Sequence, residues 1–265
     1  MTTFLHLSPH PDDEVLGAGA ALAGLVEHGH RVINVACSLG RANDHHRRHD
    51  ELTRAASIIG FETVILDPLA SIGGDDDRTA GARRVSEALA MLVNSVGADI
   101  VVSPHLHDSH HGHEAVARGV RDYLVSSPGR VWWMWGLWAD LPMPTIYAPY
   151  DEDTAGVVLR SLAEYHGENA RSGYDRMYTG RAATYRCLGS ERVFGFGSPS
   201  ASPAPYADLL TEARYTGTRW ELAAPKVLNL HASTDTCWIS DDMSWWFETD
   251  SVSDRRRRIV ADRTA

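Results

Sequence analysis

The sequence predicts an α/β fold of the Rossmann-like kind, with a mainly parallel sheet and helices on both of its faces. The first observation is an alternation of apolar runs of strand character with segments of helical periodicity. The apolar runs are 4–8, 32–38, 63–67 and 100–103, and the helical segments are 13–29, 47–60 and 79–97. Such alternation is typical of βαβ units with right-handed crossovers. The second observation is that polar residues follow two of these strands directly, and ligands of such sheets bind beyond the carboxyl ends of the strands.

The helical segment 13–29 has clear start and stop signals. Asp12 or Asp13 can cap its first turn, alanine and leucine dominate its interior, and Gly29 can end it. The start of this helix therefore lies at the acidic pair, where the positive end of the helix dipole stabilises carboxylates or an anionic ligand group. Further along, residues 73–77 read Gly-Gly-Asp-Asp-Asp and predict a surface loop before the third helix.

The second half of the chain is less regular. Val131–Trp138 is rich in tryptophan, 156–166 has helical character, and 197–206 is a loop rich in serine and proline. We expect further strands and a mobile lid here. The prediction is a single α/β domain over 1–265, with a core to about residue 195 and a C-terminal extension or lid at 196–265. The arginine run 255–258 is expected to be a solvated tail.

Length and charge narrow the class of protein. A chain of 265 residues is within the range of a single α/β domain. Its net charge of −10, from 25 basic and 35 acidic residues, argues against non-specific binding to nucleic acid or to an anionic membrane. A small-molecule partner is therefore expected, and assembly into a homo-oligomer stays open.

The sequence predicts a cytoplasmic protein, because it has no recognisable targeting signal and its cysteines indicate no disulfide framework. No apolar stretch approaches the roughly 20 residues of a transmembrane helix, and the N-terminus has no basic region followed by an apolar segment. The three cysteines lie far apart, so neither a disulfide framework nor a cysteine-based zinc site is indicated. The 14 histidines stand out instead, several of them within 45–49 and 105–113.

Two strands of the predicted sheet end in clusters of histidine and acidic residues. The run at 4–8 leads into His10-Pro11-Asp12-Asp13, and the run at 100–103 leads into the histidine-rich segment 105–114. Charged groups gathered at the edge of a core cost free energy unless they are paired or bound to metal. Because both strands end at the same edge of the sheet, we expect the two clusters to meet in one pocket.

The combined clusters predict a catalytic metal site. His10, Asp13 and a histidine of the second cluster supply three ligands, and nitrogen and carboxylate donors with one open position suit catalytic Zn²⁺. If His113 is the third ligand, Asp12 is free to act as a general base. His110, as an imidazolium, can then stabilise the oxyanion or protonate a leaving amine. These roles together describe an amide hydrolase.

Each cluster alone has a simpler explanation. An acidic pair at the start of a helix can serve as a cap, and a histidine-rich loop can be a solvated surface or an adventitious metal binder. Their common position at the ends of two parallel strands favours a functional site.

The chain also resembles a known family, the PIG-L/LmbE-like metal-dependent N-deacetylases, which remove acetyl groups from N-acetylglucosamine-type sugars. The motifs that carry the resemblance are His10-Pro11-Asp12-Asp13-Glu14 with Gly17, Ser38-Leu39-Gly40, Arg48-x-x-Glu51, Ala55-Ala56, Ile59-Gly60, Val101-Val102 and His110-x-x-His113. The likeness is good over about 3–125. Weaker likeness continues at Ala163–His166 and Glu191–Phe194, to about residue 195.

The resemblance implies a role for each residue of the two clusters. His10, Asp13 and His113 match the family's zinc ligands, Asp12 its general base, and His110 the histidine that assists the tetrahedral intermediate. One motif departs from the family, which usually has His-Pro-Asp-His where this chain has His110-His111-Gly112-His113. The pair His107 and His110 has the same spacing as the pair His110 and His113, so either pair can supply the ligand of the second cluster. His113 is preferred because residues 114–119 continue as the family's next helix does.

Three further residues are candidates for substrate binding. Arg48 either binds a sugar hydroxyl or phosphate, or forms an ion pair with Glu51 or Asp50 on its helix. Asp44 and Asp108 either contact substrate or hydrogen-bond histidines behind the metal ligands. The tryptophans of 131–138 are expected to be mostly core, with one or two rings at most facing a ligand.

The expected function is a zinc-dependent N-deacetylase. Its substrate is an N-acetylglucosamine-type sugar or pseudo-sugar in a small-molecule glycoside, in natural-product (antibiotic) biosynthesis. The alternatives are a mycothiol-type deacetylase or thiol-conjugate amidase with the same site. A non-catalytic metal- or sugar-binding protein is the alternative of another class, and a free carboxylate at Asp12 argues against it, because binding alone does not require one.

Overall fold

The computed structural model describes residues 1–74, 76–231 and 236–249. Its strands are β1 (Thr3–Ser8), β2 (Arg31–Ala36), β3 (Glu62–Ile65), β4 (Ile100–Pro104), β5 (Val131–Trp135), β6 (Ile146–Tyr150), β7 (Tyr206–Tyr215), β8 (Trp220–Ala223), β9 (Lys226–Val227) and β10 (Trp238–Ile239). Its α-helices are α1 (Asp13–Leu16), α2 (Gly19–Glu27), α3 (His45–Ile59), α4 (Arg78–Val96), α5 (His111–Ser126), α6 (Glu152–Ala163), α7 (His166–Asn169), α8 (Tyr174–Phe194) and α9 (Ser244–Phe247). None of these helices is long and apolar enough to cross a membrane.

The central sheet has a parallel half and an antiparallel half. The strand order is β10-β8-β7-β5-β4-β1-β2-β3, and β6 joins through β7. Neighbouring strands from β3 to β5 pair in parallel, whereas β7, β8 and β10 are antiparallel. This confirms the predicted Rossmann-like fold. The strand order reverses between β1 and β4, and crevices at such a switch point are the usual ligand sites of open α/β sheets.

Two layers of helices cover the sheet, and the alternation of side chains along β1 shows how. Phe4 packs in the core cluster that contains residues of α2, α3 and α6. Leu5 and Leu7 pack in the cluster that contains residues of α4 and α5. Leu5 is therefore on the opposite face from Phe4, as the two-residue period of a strand requires. A strand buried on both faces has apolar residues at consecutive positions, as Phe4 and Leu5 of β1 show.

The predicted helix 13–29 is two helices in the structure, α1 and α2. The break lies at Gly17, where a side-chain Cβ would come within 2.5 Å of the Trp135 ring. Trp135 is fully buried on β5. The ring therefore occupies the space that a side chain at position 17 needs, and the sequence alone gives no sign of this contact because it is long-range.

Gly17→Ala is expected to destabilise the protein by about 1–3 kcal/mol, because an added methyl group overpacks the site against Trp135. Urea unfolding measures the change. Gly180→Ala is the matched control, since Gly180 lies within α8 and, apart from its chain neighbours and the backbone of its own helix, no heavy atom is within 4 Å of its Cβ position. That variant is expected to gain up to about 1 kcal/mol from helix propensity. Equal effects of the two substitutions would contradict the close packing at Gly17.

The second half of the chain contributes to the sheet itself. The predicted helix 156–166 is present as α6, and three of the tryptophans in 131–138 are core residues on β5. β7 pairs with β5 and β6, so the central sheet continues past residue 195. The expected boundary between core and C-terminal extension therefore does not coincide with the end of the sheet. The arginine run 255–258 lies outside the described residues, as does Asp75 of the predicted loop.

Candidate active site

The structure brings the two polar clusters together at one edge of the sheet. β1 and β4 are parallel neighbours, with His6 opposite Val102, so the segments that follow them leave the sheet side by side. His10, Asp13 and His113 each place one donor atom so that all three atoms lie within 4.8 Å of one another. We call these three residues the metal trio. Two imidazoles and one carboxylate are a donor set that suits a divalent transition metal.

Asp13 links the other two members of the trio. Its Oδ2 accepts the backbone N–H of His10 at 2.9 Å and lies 3.3 Å from His10 Nδ1. Its Oδ1 lies 3.2 Å from His113 Nε2. Burial raises the pKa of Asp13, but the charge of His113 and the hydrogen bond from His10 outweigh burial and hold that pKa well below its usual value. Asp13 is therefore an ionised carboxylate, the form that binds a cation.

His113 is oriented by Asp108. Its Nδ1 donates to Asp108 Oδ2 at 2.7 Å, which leaves Nε2 directed toward Asp13. The other oxygen of Asp108 accepts three backbone N–H groups of the loop after β5, those of Leu137, Trp138 and Ala139, at 2.8, 3.0 and 3.0 Å. A carboxylate behind an imidazole fixes its tautomer and its direction, as at known metal sites.

This position changes the expected role of Asp108. Its side chain is fully buried and is not part of the cavity wall, so it cannot contact a ligand there. Burial raises its pKa, but hydrogen bonds from His105 and His113 outweigh burial and lower that pKa. We therefore revise substrate binding by Asp108 to the other expected role, that of orienting a histidine.

The protonation of His113 follows from these carboxylates. Burial lowers the pKa of the imidazole, but the charges of Asp13 and Asp108 raise it to about 10 in the metal-free chain. A cation that binds Nε2 displaces this proton, so cation binding releases protons.

The two histidines considered for the third ligand position, His107 and His113, differ in their surroundings. His107 Nε2 donates to the backbone carbonyl of Trp246 at 3.0 Å and does not join the trio.

Asp108→Asn is expected to weaken cation affinity by about 10- to 100-fold, the usual effect of removing a carboxylate behind a ligating histidine. The asparagine side chain retains an oxygen for the three backbone donors, so the loop stays attached. Titration with Zn²⁺ against a chromophoric chelator measures the affinity. Asp122→Asn, which replaces an exposed carboxylate paired with Arg121, is the control and should leave the affinity unchanged. An unaltered affinity in the Asp108 variant would contradict the role of Asp108 in orienting His113 for cation binding.

Asp12 lies beside the trio and outside it. It occupies the N-cap position of α1, but its side chain makes no capping hydrogen bond, so capping does not explain it. The side chain is on the cavity wall. Burial, and then the charge of Asp13, raise the pKa of Asp12 well above its usual value. A carboxyl group with raised proton affinity at a cavity wall is suited to accept a proton.

His110 faces the trio from the other cluster. Its ring centroid is 5.6 Å from that of His10 and 4.6 Å from that of His113, and it stacks with Trp138 at 5.5 Å. Burial, followed by the charges of His113 and His10, lowers the pKa of His110 to about 3. The ring is therefore neutral at neutral pH, unlike the imidazolium expected from sequence. A neutral imidazole still has one N–H to donate.

The trio opens into a cavity of about 310 Å³. Its wall includes every predicted site residue except Asp108. It also includes residues that the sequence analysis did not single out: Leu16, Arg41, Leu137, Glu168, Arg171 and Tyr174. The last three come from the segment after α6. The weak family likeness at Ala163–His166 was the one signal near that segment. Trp138 is about half exposed and is the tryptophan of 131–138 that faces the cavity.

Arg48 is part of the cavity wall and is not paired along its helix. Its Nη2 donates to the Pro11 carbonyl at 2.9 Å and lies 3.8 Å from Glu168. Arg47 is the residue that pairs with Glu51, at 2.6 Å, so the ion pair considered for Arg48 is not observed. Gly40, at φ 74°, allows Arg48 this position because any Cβ there would clash with the guanidinium.

Asp44 is half-buried on the same wall. Its Oδ1 lies 3.2 Å from Arg47 Nη2, so its charge is partly compensated from outside the cavity.

The fold and the site define an α/β protein with a candidate divalent-metal centre at the switch point of its sheet. The family model described as GlcNAc-PI de-N-acetylase (PIG-L) matches residues 5–124. This match confirms the family resemblance seen in the motifs. No curated protein sequence matches the chain.

Solved structures of similar fold match most of the chain. One is GalB, the 4-carboxy-2-hydroxymuconate hydratase of Pseudomonas putida KT2440, with 19% identity, a TM-score of 0.60, and 80% of this chain and 96% of that chain covered. A second is the zinc-inhibited form of the teicoplanin deacetylase Orf2, with 14% identity, a TM-score of 0.59, and 80% and 98% covered. A third is the N,N'-diacetylchitobiose deacetylase of Pyrococcus horikoshii, with 16% identity, a TM-score of 0.54, and 80% and 83% covered. At these identities the likeness is one of fold.

Proposed function

We propose that this protein is a zinc-dependent N-deacetylase that hydrolyses the acetamide of an N-acetylglucosamine-type sugar or pseudo-sugar. The observation that carries the proposal is the position of Asp12, a proton-accepting carboxyl group next to three residues that can bind one cation. A binding protein needs the trio but has no use for Asp12. The family match to a de-N-acetylase supports the same reaction.

The donors of the trio fit zinc. Zn²⁺ accepts imidazole nitrogen and carboxylate oxygen, and a catalytic site has three protein ligands and one open position. His10, Asp13 and His113 would hold the cation, and the cavity lies in front of them. When bound, the cation supplies Lewis acidity that polarises the amide carbonyl and lowers the pKa of a nearby water.

The remaining chemistry belongs to residues of the cavity wall. A carboxylate oxygen of Asp12 takes a proton from the attacking water as the water oxygen bonds to the amide carbon. The N–H of the neutral His110 ring donates a hydrogen bond to the carbonyl oxygen as negative charge develops there. Asp12 then returns its proton to the leaving nitrogen as the C–N bond breaks. The products of this step are acetic acid and a free amine, and transfer of the acid's proton to the amine gives acetate and an ammonium group, so the proton count balances.

The shape of the cavity supports an amino-sugar substrate. A volume of about 310 Å³ is at the small end of ligand pockets, which usually span about 300–1,000 Å³. The exposed face of Trp138 can stack on a sugar ring. Arg48 and Asp44 offer hydrogen bonds to sugar hydroxyls. The rest of a small-molecule glycoside would extend through the open side.

We further propose a place in natural-product biosynthesis. The teicoplanin deacetylase named above supports it through its fold. A mycothiol-type deacetylase or a thiol-conjugate amidase remains the second candidate, because the same trio and Asp12 would cleave those amides.

The test is release of acetate from a panel of N-acetylglucosaminyl compounds, including an aminoglycoside or glycopeptide precursor and a mycothiol precursor. Zn²⁺-loaded protein is compared with chelated protein. We expect turnover of at least one member and its loss on chelation. Turnover that survives complete removal of metal would exclude the mechanism. Hydration of 4-carboxy-2-hydroxymuconate, with no amide hydrolysis, would assign the chain to the activity of its hydratase neighbour.

A further inference from the structure

Two residues of the active-site edges have an unusual backbone. Among the described residues, Asp12 at φ 103° and Ser109 at φ 59° are the non-glycine residues with positive φ. L-residues rarely adopt this conformation, and it persists only where the surroundings enforce it. Asp12 belongs to the first cluster, and Ser109 lies between Asp108 and His110 in the second. Asp12 is therefore itself a group with a proposed function, and Ser109 directly precedes another, His110.

A buried glutamate holds the backbone of Asp12. The N–H of Asp12 donates to Glu14 Oε2 at 3.0 Å. The other carboxylate oxygen, Oε1, accepts a hydrogen bond from the hydroxyl of Tyr165, which follows α6. Glu14 and Tyr165 are both fully buried, and neither is part of the cavity wall. Glu14 cannot contact a ligand in the cavity. The role of its carboxylate therefore lies in these two hydrogen bonds.

A second buried glutamate holds the backbone of Ser109 in the same way. The N–H of Ser109 donates to Glu114 Oε1 at 3.1 Å. Glu114 is fully buried in α5, and its Oε2 lies 3.9 Å from Arg78 Nη1 of α4. Each cluster thus has one residue of positive φ and one buried glutamate from the helix that follows. A residue of another element contacts each glutamate, Tyr165 in the first cluster and Arg78 in the second.

We propose that Glu14 and Glu114 are positioning residues that set the directions of Asp12 and His110 toward the substrate. The proposal rests on the proposed function, in which Asp12 accepts a proton and His110 donates a hydrogen bond. A buried carboxylate is costly unless it is hydrogen-bonded, and here the bonds it makes select a backbone conformation that the loop does not prefer. Loss of a glutamate lets its edge relax and turns the catalytic side chain away.

The test uses substitutions of the residues that hold the backbone of Asp12 in the first cluster. Glu14→Ala is expected to lower kcat by about 100-fold, the typical cost of misplacing a catalytic group by about 1 Å. KM and cation affinity should change by less than about threefold, because the metal trio is intact. Glu14→Gln keeps an oxygen for the N–H of Asp12 and should recover most of kcat. Tyr165→Phe keeps the packing of the ring and is expected to lower kcat about 10-fold.

Tyr178→Phe is the matched control for Tyr165→Phe. Tyr178 is also buried, and its hydroxyl donates to Tyr150 at 3.0 Å within the core. Its loss should leave kcat unchanged at a similar cost in stability. Equal effects of the two tyrosine variants on kcat would overturn the proposal, as would full kcat in Glu14→Ala.

A crystal structure of Glu14→Ala supplies a readout without turnover. We expect Asp12 to leave the positive-φ region, with His10, Asp13 and His113 unmoved. Retention of φ near 103° would overturn the positioning role. If wild-type protein releases no acetate from any substrate, the proposed function fails, whereas this backbone measurement still tests whether Glu14 controls Asp12.

Discussion

Asp12→Asn is expected to lower kcat by about 100- to 10,000-fold, the range that general acid–base groups contribute, and to leave cation binding intact. The substitution keeps the size of the side chain but removes its ability to accept a proton. Asp12 is not in the metal trio, so the cation should still bind with its original stoichiometry. Steady-state acetate release and Zn²⁺ titration measure the two quantities separately.

Asp44→Asn is the control for this variant. Asp44 is also an acidic residue of the cavity wall, but it lies near Arg47 rather than the trio. A loss below about tenfold, mainly in KM, is expected, since hydrogen bonds to substrate contribute roughly 0.5–1.5 kcal/mol each. An Asp12→Asn enzyme with more than a tenth of wild-type kcat would show that another group accepts the proton.

The second large effect is expected for Asp13→Ala, which should weaken cation affinity by more than about 100-fold. The carboxylate is the charged ligand of the trio and contacts both of the other members. Its loss removes one of three ligands, and two imidazoles alone form an incomplete site. Metal content after dialysis and Zn²⁺ titration measure the loss, with Asp12→Asn as the comparison.

The two variants together separate binding from chemistry. Asp13→Ala should contain no metal and have no turnover, whereas Asp12→Asn should contain metal and have little turnover. Full metal content in Asp13→Ala would place the cation elsewhere in the protein.

The sequence predicted the parallel part of the fold and the meeting of the two clusters because both depend on local patterns. Apolar runs identified β1 and β4, and adjacency of their carboxyl ends follows from a parallel sheet. The sequence did not identify the third ligand with certainty and left more than one histidine of the second cluster as a candidate. His107 and His113 have similar spacing to His110, and long-range contacts separate them, because His113 lies with His10 and Asp13 whereas His107 contacts Trp246.

Long-range packing accounts for what the sequence did not predict. Trp135, on a strand more than a hundred residues away, fills the space beside Gly17, where the predicted first helix is divided. The segment after α6 contributes three residues to the cavity wall, Glu168, Arg171 and Tyr174, because α6 and α8 pack on the same side of the sheet as α2 and α3. No local sequence pattern predicts this packing. The antiparallel position of β7 likewise depends on pairing with β5.

The three backbone hydrogen bonds to Asp108 separate two properties that an enzyme has to change independently. The loop 137–139 is attached through its N–H groups, which every residue type except proline provides. Its side chains, including Trp138 at the cavity, are not part of that attachment. Substitutions at Trp138 can therefore alter which ligand the cavity accepts while His113 keeps its direction, so the cavity can diversify in specificity without rebuilding the metal trio.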